Sequence, residues 1–201
     1  MASDNSDFDK QDYWEERYKV EDNFEWCCNL RNVSDMLTPR LEKGFRILVL
    51  GCGNSAFSAD LYAMGYHNIT NIDYSSTVIE NMANKYSELS GMSWQTMDMF
   101  DLGFPEHSFD CVLEKCTFEV LFVKEKDPWN TSEETVTRMN AVMQQISKVL
   151  RPGGELLSIS FTQPHFRLPL FRMCCPAWNF EYKTFGQLFH YFFYIGISST
   201  V

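Results

Sequence analysis

The feature that most constrains the fold is the stretch "ILVLGCGNSAFSADLYAMG", from Ile47 to Gly65, where an apolar run meets a glycine turn and then a helical pattern. The run "RILVL" lacks polar alternation, which is typical of a strand buried on both faces of a sheet. Glycine permits the sharp turn that must follow and leaves room for a ligand to approach. We therefore predict a strand, a turn containing Gly51 and Gly53, and a helix from about residue 54 to 64.

Strand and helix patterns continue to alternate after this unit. Further strands are predicted at "NITNID", "MSWQTMD", "CVLEK" and "ELLSISF", and further helices at "SSTVIENMANKY" and "SEETVTRMNAVMQQISKVL". The runs "NFEYKTF" and "HYFFYIGI" are separated by a short turn and predict an antiparallel hairpin. The predicted fold is therefore α/β: a Rossmann-like, seven-stranded, mostly parallel sheet with helices on both faces and a C-terminal antiparallel hairpin.

Length and charge limit the organisation and the partners. The chain has 201 residues, which suits one domain, and we predict a loose polar tail over 1–9 and a single domain over 10–201. Its 17 Lys and Arg against 27 Asp and Glu give a net charge of -10. That balance disfavours nucleic acid and suits a basic protein, although acidity that simply maintains solubility is the plainer explanation.

The N-terminal sequence and the cysteines indicate the compartment. The N-terminus lacks the pattern of a secretory signal, and no apolar run approaches the length of a membrane helix. The seven cysteines show no C-x-x-C spacing, so we predict no metal site, and Cys52 and Cys111 are expected to be buried free thiols. We expect a cytoplasmic protein that binds no membrane and acts as a monomer.

An acidic residue follows the glycine turn at a meaningful distance. Asp73 lies twenty residues after Gly53, at the end of the second predicted strand, where a carboxylate can accept hydrogen bonds from ribose hydroxyls. The alternative is a tight turn without a ligand and a helix-capping Asp73. "GCGNSA" also matches a dinucleotide fingerprint, but no second substrate domain is present. Asp98, at the end of the third strand, could meet an adenine amino group or be an ordinary strand-end residue.

Four motifs together resemble a known family. "ILVLGCGNS", "NIDYSS", "MDMFDLGFPEHSFDCVLEKCTFEVL" and "VLRPGGELLSISF" follow in the order and spacing of the class I S-adenosylmethionine-dependent methyltransferases. "DYWEERY", "GCGNS", "DYSS" and "FPEHSFDCVLEKCT" are similar to the branch that methylates lysine in translation elongation factor 1-alpha. The resemblance extends from about Asp12 to Gly196.

The resemblance implies S-adenosylmethionine as cofactor, S-adenosylhomocysteine as product, and a set of site residues. Gly51 would let the methionine moiety approach the backbone, and Asp73 would hold the ribose. Tyr74, Asp98 and Met99 would surround the adenine, and Lys115 would lie near the mouth. An N-terminal helical lid, about 10–40, would close over the cofactor with its aromatic side chains: Trp14, Tyr18 and Trp26. The alternative for these three is ordinary packing onto the sheet.

The sequence also departs from the family pattern. Ser55 replaces the third glycine of the turn, and Val49 replaces an acid often found before it. "CTFE", residues 116–119, stands where the branch usually has Gly-Thr-Leu-Asp. Cys116 therefore removes backbone freedom near the active site, whereas Glu119 keeps the charge on a longer side chain.

The acceptor must be a nucleophile, and for lysine it must be neutral. The reference pKa of lysine is about 10.4, and an apolar pocket favours the neutral amine. Glu114 and Glu119 are candidates to attract and orient the incoming ammonium; no catalytic base is assigned. Aromatic residues near the predicted strand ends are candidates for the pocket, with core packing as the alternative: Phe118, Phe122, Trp129, Phe161, His165 and Tyr191.

The predicted function is an S-adenosylmethionine-dependent protein-lysine N-methyltransferase that acts on elongation factor 1-alpha. The chain lacks the N/D-P-P-Y/F tetrapeptide of many enzymes that methylate bases or amides, which disfavours those acceptors. Three alternatives remain: a small-molecule methyltransferase on the same fold, a non-catalytic binding module, and a nicotinamide-dependent oxidoreductase.

Overall fold

The computed structural model describes residues 5–127 and 129–199. Seven strands form one sheet: β1 Ile47–Leu50, β2 Ile69–Asp73, β3 Met92–Thr96, β4 Phe109–Lys115, β5 Leu150–Ser160, β6 Asn179–Phe185 and β7 Tyr191–Ile197. The α-helices are α1 Gln11–Tyr18, α2 Ser34–Leu37, α3 Phe57–Ala63, α4 Ser76–Lys85, α5 Glu133–Val149 and α6 Pro164–Cys174. Short 3-10 turns cover Asn5–Asp9, Leu30–Asn32, Thr38–Arg40 and Phe118–Phe122.

The strand order places a crevice beside the glycine turn. The strands lie in the order β3-β2-β1-β4-β5-β7-β6, and β1 pairs in parallel with both β2 and β4. The order therefore reverses between β1 and β4, and ligands of open α/β sheets bind at the carboxyl ends of the strands on either side of such a reversal. The predicted fold class is confirmed, including the antiparallel hairpin of β6 and β7.

Both faces of the sheet are covered, as the apolar strand predicted. Ile47 and Val49 pack into one hydrophobic cluster, with helices α3 and α4. Leu48 and Leu50 point to the other cluster, with helices α5 and α6. The serines that precede α4 and α5 are true N-caps: Ser75 Oγ accepts from Val78 N at 3.3 Å, and Ser132 Oγ accepts from Thr135 N at 3.3 Å.

Two segments differ from the sequence-based boundaries. The fifth strand is predicted at "ELLSISF", but β5 already begins at Leu150 and runs through "RPGG" with a shift of register opposite Phe109–Cys111. Helix α6 was not predicted. Pro164 opens it and Pro169 lies inside it, and proline normally argues against a helix interior.

The start of the chain also differs from its predicted loose tail. Residues 1–4 lie outside the described residues, whereas Asn5–Asp9 form a 3-10 turn. Asp9 forms ion pairs with Lys124 and Arg138, both at 2.5 Å. Residues 5–9 are fixed by contacts that polar composition does not reveal. Within the described residues, no helix has the length and apolar character needed to cross a membrane.

Candidate functional site

The turn after β1 needs glycine at two positions. Gly51 and Gly53 have φ values of 64° and 52°, in the left-handed region that disfavours other residues. A Cβ atom on Gly51 would lie 2.4 Å from the Cγ2 and Oγ1 atoms of Thr117, and one on Gly53 would lie 3.0 Å from the Tyr18 hydroxyl oxygen. The glycines therefore let the loop after β4 and helix α1 come close to the turn.

Asp73 lies at the carboxyl end of β2 and is 7% exposed. Its Oδ2 accepts a hydrogen bond from Gly53 N at 3.0 Å, and its Oδ1 accepts one from Ser75 N at 3.0 Å. Burial raises the pKa of Asp73 to about 6, against the effect of these backbone donors. Each carboxylate oxygen has a second lone pair, so Asp73 retains capacity to accept hydrogen bonds from a ligand.

The end of β3 meets Asp73 from the side. Met97 N donates to Asp73 O at 2.9 Å, which places the following residues along the same edge of the sheet. Asp98 is exposed, and its Oδ1 accepts from Phe100 N at 2.9 Å. Met99 and Tyr74 are half-buried, and burial raises the pKa of Tyr74. Tyr74 and Met99 therefore form an apolar and aromatic wall, and the Asp98 carboxylate lies at its exposed edge.

Aromatic side chains of residues 10–40, the N-terminal segment, pack over the glycine turn. The rings of Trp14 and Tyr18 are stacked with centroids 5.6 Å apart, and Trp26 meets Trp14 edge-on at 6.2 Å. The Arg17 guanidinium lies 5.5 Å from the Trp14 ring and 5.2 Å from the Trp26 ring. These rings pack against one another and also line the crevice. A lid over a cofactor and ordinary packing, the two interpretations of these residues, are therefore compatible.

Two carboxylates fasten this segment to the starts of helices α3 and α4. Glu15 accepts from Ser76 N at 2.8 Å and Thr77 N at 3.1 Å. Glu25 accepts from Ala56 N at 2.7 Å and from the Ser55 hydroxyl at 2.7 Å. Carboxylates are favourable at helix N-termini, where backbone N–H groups lack partners inside the helix.

The loop after β4 is joined to the same segment by an ion pair and a disulfide. Lys115 Nζ lies 3.1 Å from Glu25 Oε2 and 3.0 Å from Trp26 O. Cys27 and Cys116 form a disulfide, and both have left-handed φ values, 61° and 58°. The disulfide was not predicted, but the left-handed backbone at Cys116 agrees with a position where glycine would fit. Cys52 and Cys111 are free and buried, as predicted.

These elements enclose one cavity of about 670 Å³. All nine residues implied as cofactor-binding line it: Trp14, Tyr18, Trp26, Gly51, Asp73, Tyr74, Asp98, Met99 and Lys115. A second set of residues lines the same cavity, from the 3-10 turn after β4 and the segment after β5: Glu119, Phe122, Phe161 and Thr162. We call the first set the Asp73 half and the second the Glu119 half.

The two acidic candidates occupy different environments. Glu119 lines the cavity, whereas Glu114 is fully buried outside the described lining. Glu114 accepts hydrogen bonds from Thr117 N, Phe118 N and the Ser158 hydroxyl, so it holds the turn that begins with Phe118. Burial, and then the nearby Glu119 carboxylate, raises the pKa of Glu114. Of the two acidic candidates, Glu119 is therefore the one that contributes to the cavity wall.

The aromatic candidates for the acceptor pocket also divide into residues that line the cavity and residues that do not. Phe122 and Phe161 line the Glu119 half, and Phe118 is buried in the core. Trp129 and His165 stack on each other, with ring centroids 5.3 Å apart, outside the described lining. Tyr191 packs on Phe185 in the hairpin.

Sequence reasoning missed several residues that shape the site. Arg167 and Glu25 lie in no motif, and Glu15 lies within "DYWEERY" without an assigned role, because the partners of all three are distant in the chain. Residues that could ligate a metal do not cluster: within 5–127 and 129–199 no group of three or more His, Cys, Asp or Glu side chains is placed to hold one.

Comparison with known proteins shows that the chain is similar to methyltransferases. A family model described as a methyltransferase domain matches residues 41–185. The chain is 39% identical over 198 residues to EEF1A lysine methyltransferase 4 of Mus musculus, covering 97% of this chain and 78% of that protein. It is 33% identical over 168 residues to the eEF1A lysine and N-terminal methyltransferase of Mus musculus, covering 82% of this chain and 23% of that protein.

A solved structure supports the fold. The N-methyltransferase NodS from Bradyrhizobium japonicum WM9, in complex with S-adenosyl-L-homocysteine, superimposes with a TM-score of 0.70 at 20% identity, covering 97% of this chain and 99% of that chain. The similarity agrees with the Rossmann-like sheet and with a crevice at the carboxyl ends of its strands.

Proposed function

The chain belongs to the family of S-adenosylmethionine-dependent methyltransferases, and from this premise we propose that it methylates lysine side chains of translation elongation factor 1-alpha. The observation that carries the proposal is a single cavity lined both by Asp73 and Gly51 and by Glu119 and Phe122. Such a cavity has room for a cofactor at one end and for an acceptor side chain at the other. The names of the relatives support the identity of the acceptor protein.

The residues of the Asp73 half fit the cofactor. A buried carboxylate with spare acceptor capacity suits two ribose hydroxyls, and a turn without Cβ atoms suits close approach of a ligand. We propose that Asp73 holds the ribose and that Tyr74, Asp98 and Met99 surround the adenine. Gly51 would then face the methionine moiety.

The N-terminal segment is proposed to act as the lid. Trp14, Tyr18 and Trp26 would cover the cofactor and exclude water from it. The Lys115 ammonium is engaged by Glu25 and by the Trp26 carbonyl, so its proposed role is to hold the lid closed. It would therefore support cofactor binding through the lid.

The chemistry divides between the cofactor and the protein. S-adenosylmethionine, when bound, supplies a methyl group on a sulfonium that is already activated for transfer. The protein must align the acceptor amine and keep it neutral. Phe122 and Phe161 would provide apolar surroundings that favour the neutral amine, and Glu119 would accept a hydrogen bond from it. Glu114 would support the turn that carries Glu119.

The partner and the compartment follow from the same proposal. The net charge of -10 suits a basic protein surface and disfavours nucleic acid. We propose that the protein acts as a monomer in the cytoplasm without a membrane partner. In that reducing compartment the Cys27–Cys116 pair would be held as two thiols.

The test combines cofactor binding with labelled methyl transfer. Wild type, Asp73→Asn and the exposed control Asp60→Asn are titrated with S-adenosylhomocysteine and then incubated with elongation factor 1-alpha and methyl-labelled S-adenosylmethionine. We expect wild type and Asp60→Asn to bind and to label lysine, and Asp73→Asn to lose both. Binding without labelling would point to a small-molecule acceptor, and no binding would point to a non-catalytic module.

A further inference from the structure

Arg167 is an unusual residue for the interior of this protein. It lies on α6, its side chain is 0% exposed, and its guanidinium carbon lies 4.9 Å from the Phe122 ring and 5.7 Å from the Phe171 ring. Its Nε and Nη1 atoms have no hydrogen-bond partner among the described residues. Burying a cation with unused donors costs folding free energy, which favours a functional role for Arg167.

The ion partner of Arg167 is Glu119. Arg167 Nη2 lies 2.5 Å from Glu119 Oε1 and 3.2 Å from Thr162 Oγ1. Glu119 Oε1 also accepts hydrogen bonds from the hydroxyls of Ser160 and Thr162. Three donors from three residues therefore converge on one oxygen atom.

The second oxygen of Glu119 has a different environment. Oε2 is buried and has no partner within the described chain, although the Glu119 side chain lines the cavity. Arg167 itself lies behind the carboxylate and outside the described lining. The arrangement fixes one oxygen to the protein and leaves the other without a protein donor. Because Oε2 is closed to solvent, a donor from the adjoining cavity reaches it only when the wall around it shifts.

We propose that Arg167 is a positioning residue for the acceptor: it fastens Glu119 Oε1 so that Oε2 accepts a hydrogen bond from the amine of the incoming lysine. The inference rests on the proposed function and deepens it. A guanidinium in the cavity would repel an ammonium group, but behind the carboxylate, among phenyl rings, it supplies the counter-charge without facing the substrate.

The geometry of the guanidinium makes arginine specific at this place. One nitrogen contacts both Glu119 and Thr162, and the planar group lies against aromatic rings. Lysine has a point charge on a flexible chain and cannot reproduce that arrangement. Arg167→Lys keeps the charge and removes the fixed geometry, so it tests positioning more sharply than a neutral substitution.

The experiment measures amine recognition without requiring turnover. Wild type, Arg167→Lys, Glu119→Gln, the double variant and the control Arg172→Lys, an exposed arginine on the same helix, are loaded with S-adenosylhomocysteine. Each is titrated with Nα-acetyl-lysine methylamide and with the norleucine analogue, which lacks the amine. We expect the preference for the amine to fall about tenfold in each single variant, because a hydrogen bond to a charged group is lost or misaligned. The double variant should lose no more than Glu119→Gln alone, and Arg172→Lys should match wild type.

A second variant guards against misfolding. Thr162→Val removes another donor to Oε1, and we expect a smaller loss of amine preference at unchanged S-adenosylhomocysteine affinity. The inference is overturned if Arg167→Lys retains the amine preference that Glu119→Gln loses. It is also overturned if both Arg167→Lys and Thr162→Val lose S-adenosylhomocysteine binding, which indicates a purely structural role.

Turnover separates the inference from the proposed function. With elongation factor 1-alpha as acceptor, kcat/KM for the acceptor should fall in Arg167→Lys while KM for S-adenosylmethionine is unchanged. If wild type does not methylate the elongation factor, but amine preference still depends on Glu119 and Arg167, the proposed substrate fails and the positioning role stands.

Discussion

The Asp73 half and the Glu119 half of the cavity are built in different ways. The Asp73 half uses a glycine turn and the ends of neighbouring strands, and the backbone N–H groups of Gly53 and Ser75 donate to its central carboxylate. In the Glu119 half the central carboxylate is held by the side chains of Ser160, Thr162 and Arg167. The Asp73 carboxylate is therefore positioned by backbone groups, whereas the Glu119 carboxylate is positioned by side chains.

The largest expected effect tests the backbone of the Asp73 half. Gly51→Ala would place Cβ against Thr117 in a left-handed conformation, and we expect it to destabilise the protein by about 4 kcal/mol. Denaturant unfolding measures the change, and Gly44→Ala, where nothing lies within 4 Å, is the matched control. An unfolding midpoint equal to that of Gly44→Ala would show that the turn tolerates a side chain.

The next effect concerns the link between the two halves. The Cys27–Cys116 disulfide joins residues 89 positions apart, and we expect its removal by Cys27→Ser or by a reductant to lower the unfolding free energy by about 3 kcal/mol. The measurement is unfolding of wild type and Cys27→Ser with and without a thiol reductant. Only wild type should respond, and no response would mean that the bond contributes nothing to stability.

The third prediction concerns the Asp73 half alone, whose contribution to stability and whose ligand affinity should depend on pH. The pKa of Asp73 is raised from 3.8 to about 6, so the ligand-free folded state binds more protons than the unfolded state between these values. Its contribution to stability therefore falls as pH rises through that window. S-adenosylhomocysteine affinity should show the opposite trend and rise about tenfold from about pH 5 to about pH 7, because the ionised carboxylate is the better acceptor for ribose hydroxyls. Calorimetric titration of wild type measures this, and an affinity that is the same at about pH 5 and about pH 7 would show that ionisation of Asp73 does not control binding.

The smallest effect is expected in the Glu119 half. Phe161 is 52% exposed and lines the cavity, so Phe161→Ala should raise KM for the acceptor about threefold and leave S-adenosylhomocysteine affinity unchanged. Leu188→Ala, at a position that is 94% exposed in the hairpin loop, is the control. A loss of cofactor affinity in Phe161→Ala would mean that the two halves are not separable.

The same contrast explains what the sequence could predict. The strand β1, the turn at Gly51 and the position of Asp73 follow from apolar patterning and from spacing along the chain. Helix α6 was missed because Pro164 and Pro169 resemble breakers, and with it the place of Arg167 was missed. The partners of Glu25 lie about 30 positions away at Ala56 and 90 at Lys115, and no local pattern records such pairs.

The carboxylates bound at the starts of α3 and α4 affect which nucleotides can bind in the crevice. In phosphate-binding α/β proteins, the backbone N–H groups after the glycine turn receive a pyrophosphate. Here Ala56 N and the Ser55 hydroxyl already donate hydrogen bonds to Glu25, and Ser76 N and Thr77 N donate to Glu15. A phosphate group would have to displace a bound carboxylate of the same charge sign. Although "GCGNSA" matches a dinucleotide fingerprint, we therefore expect the folded chain to bind an adenosine without a phosphate in preference to a phosphorylated cofactor.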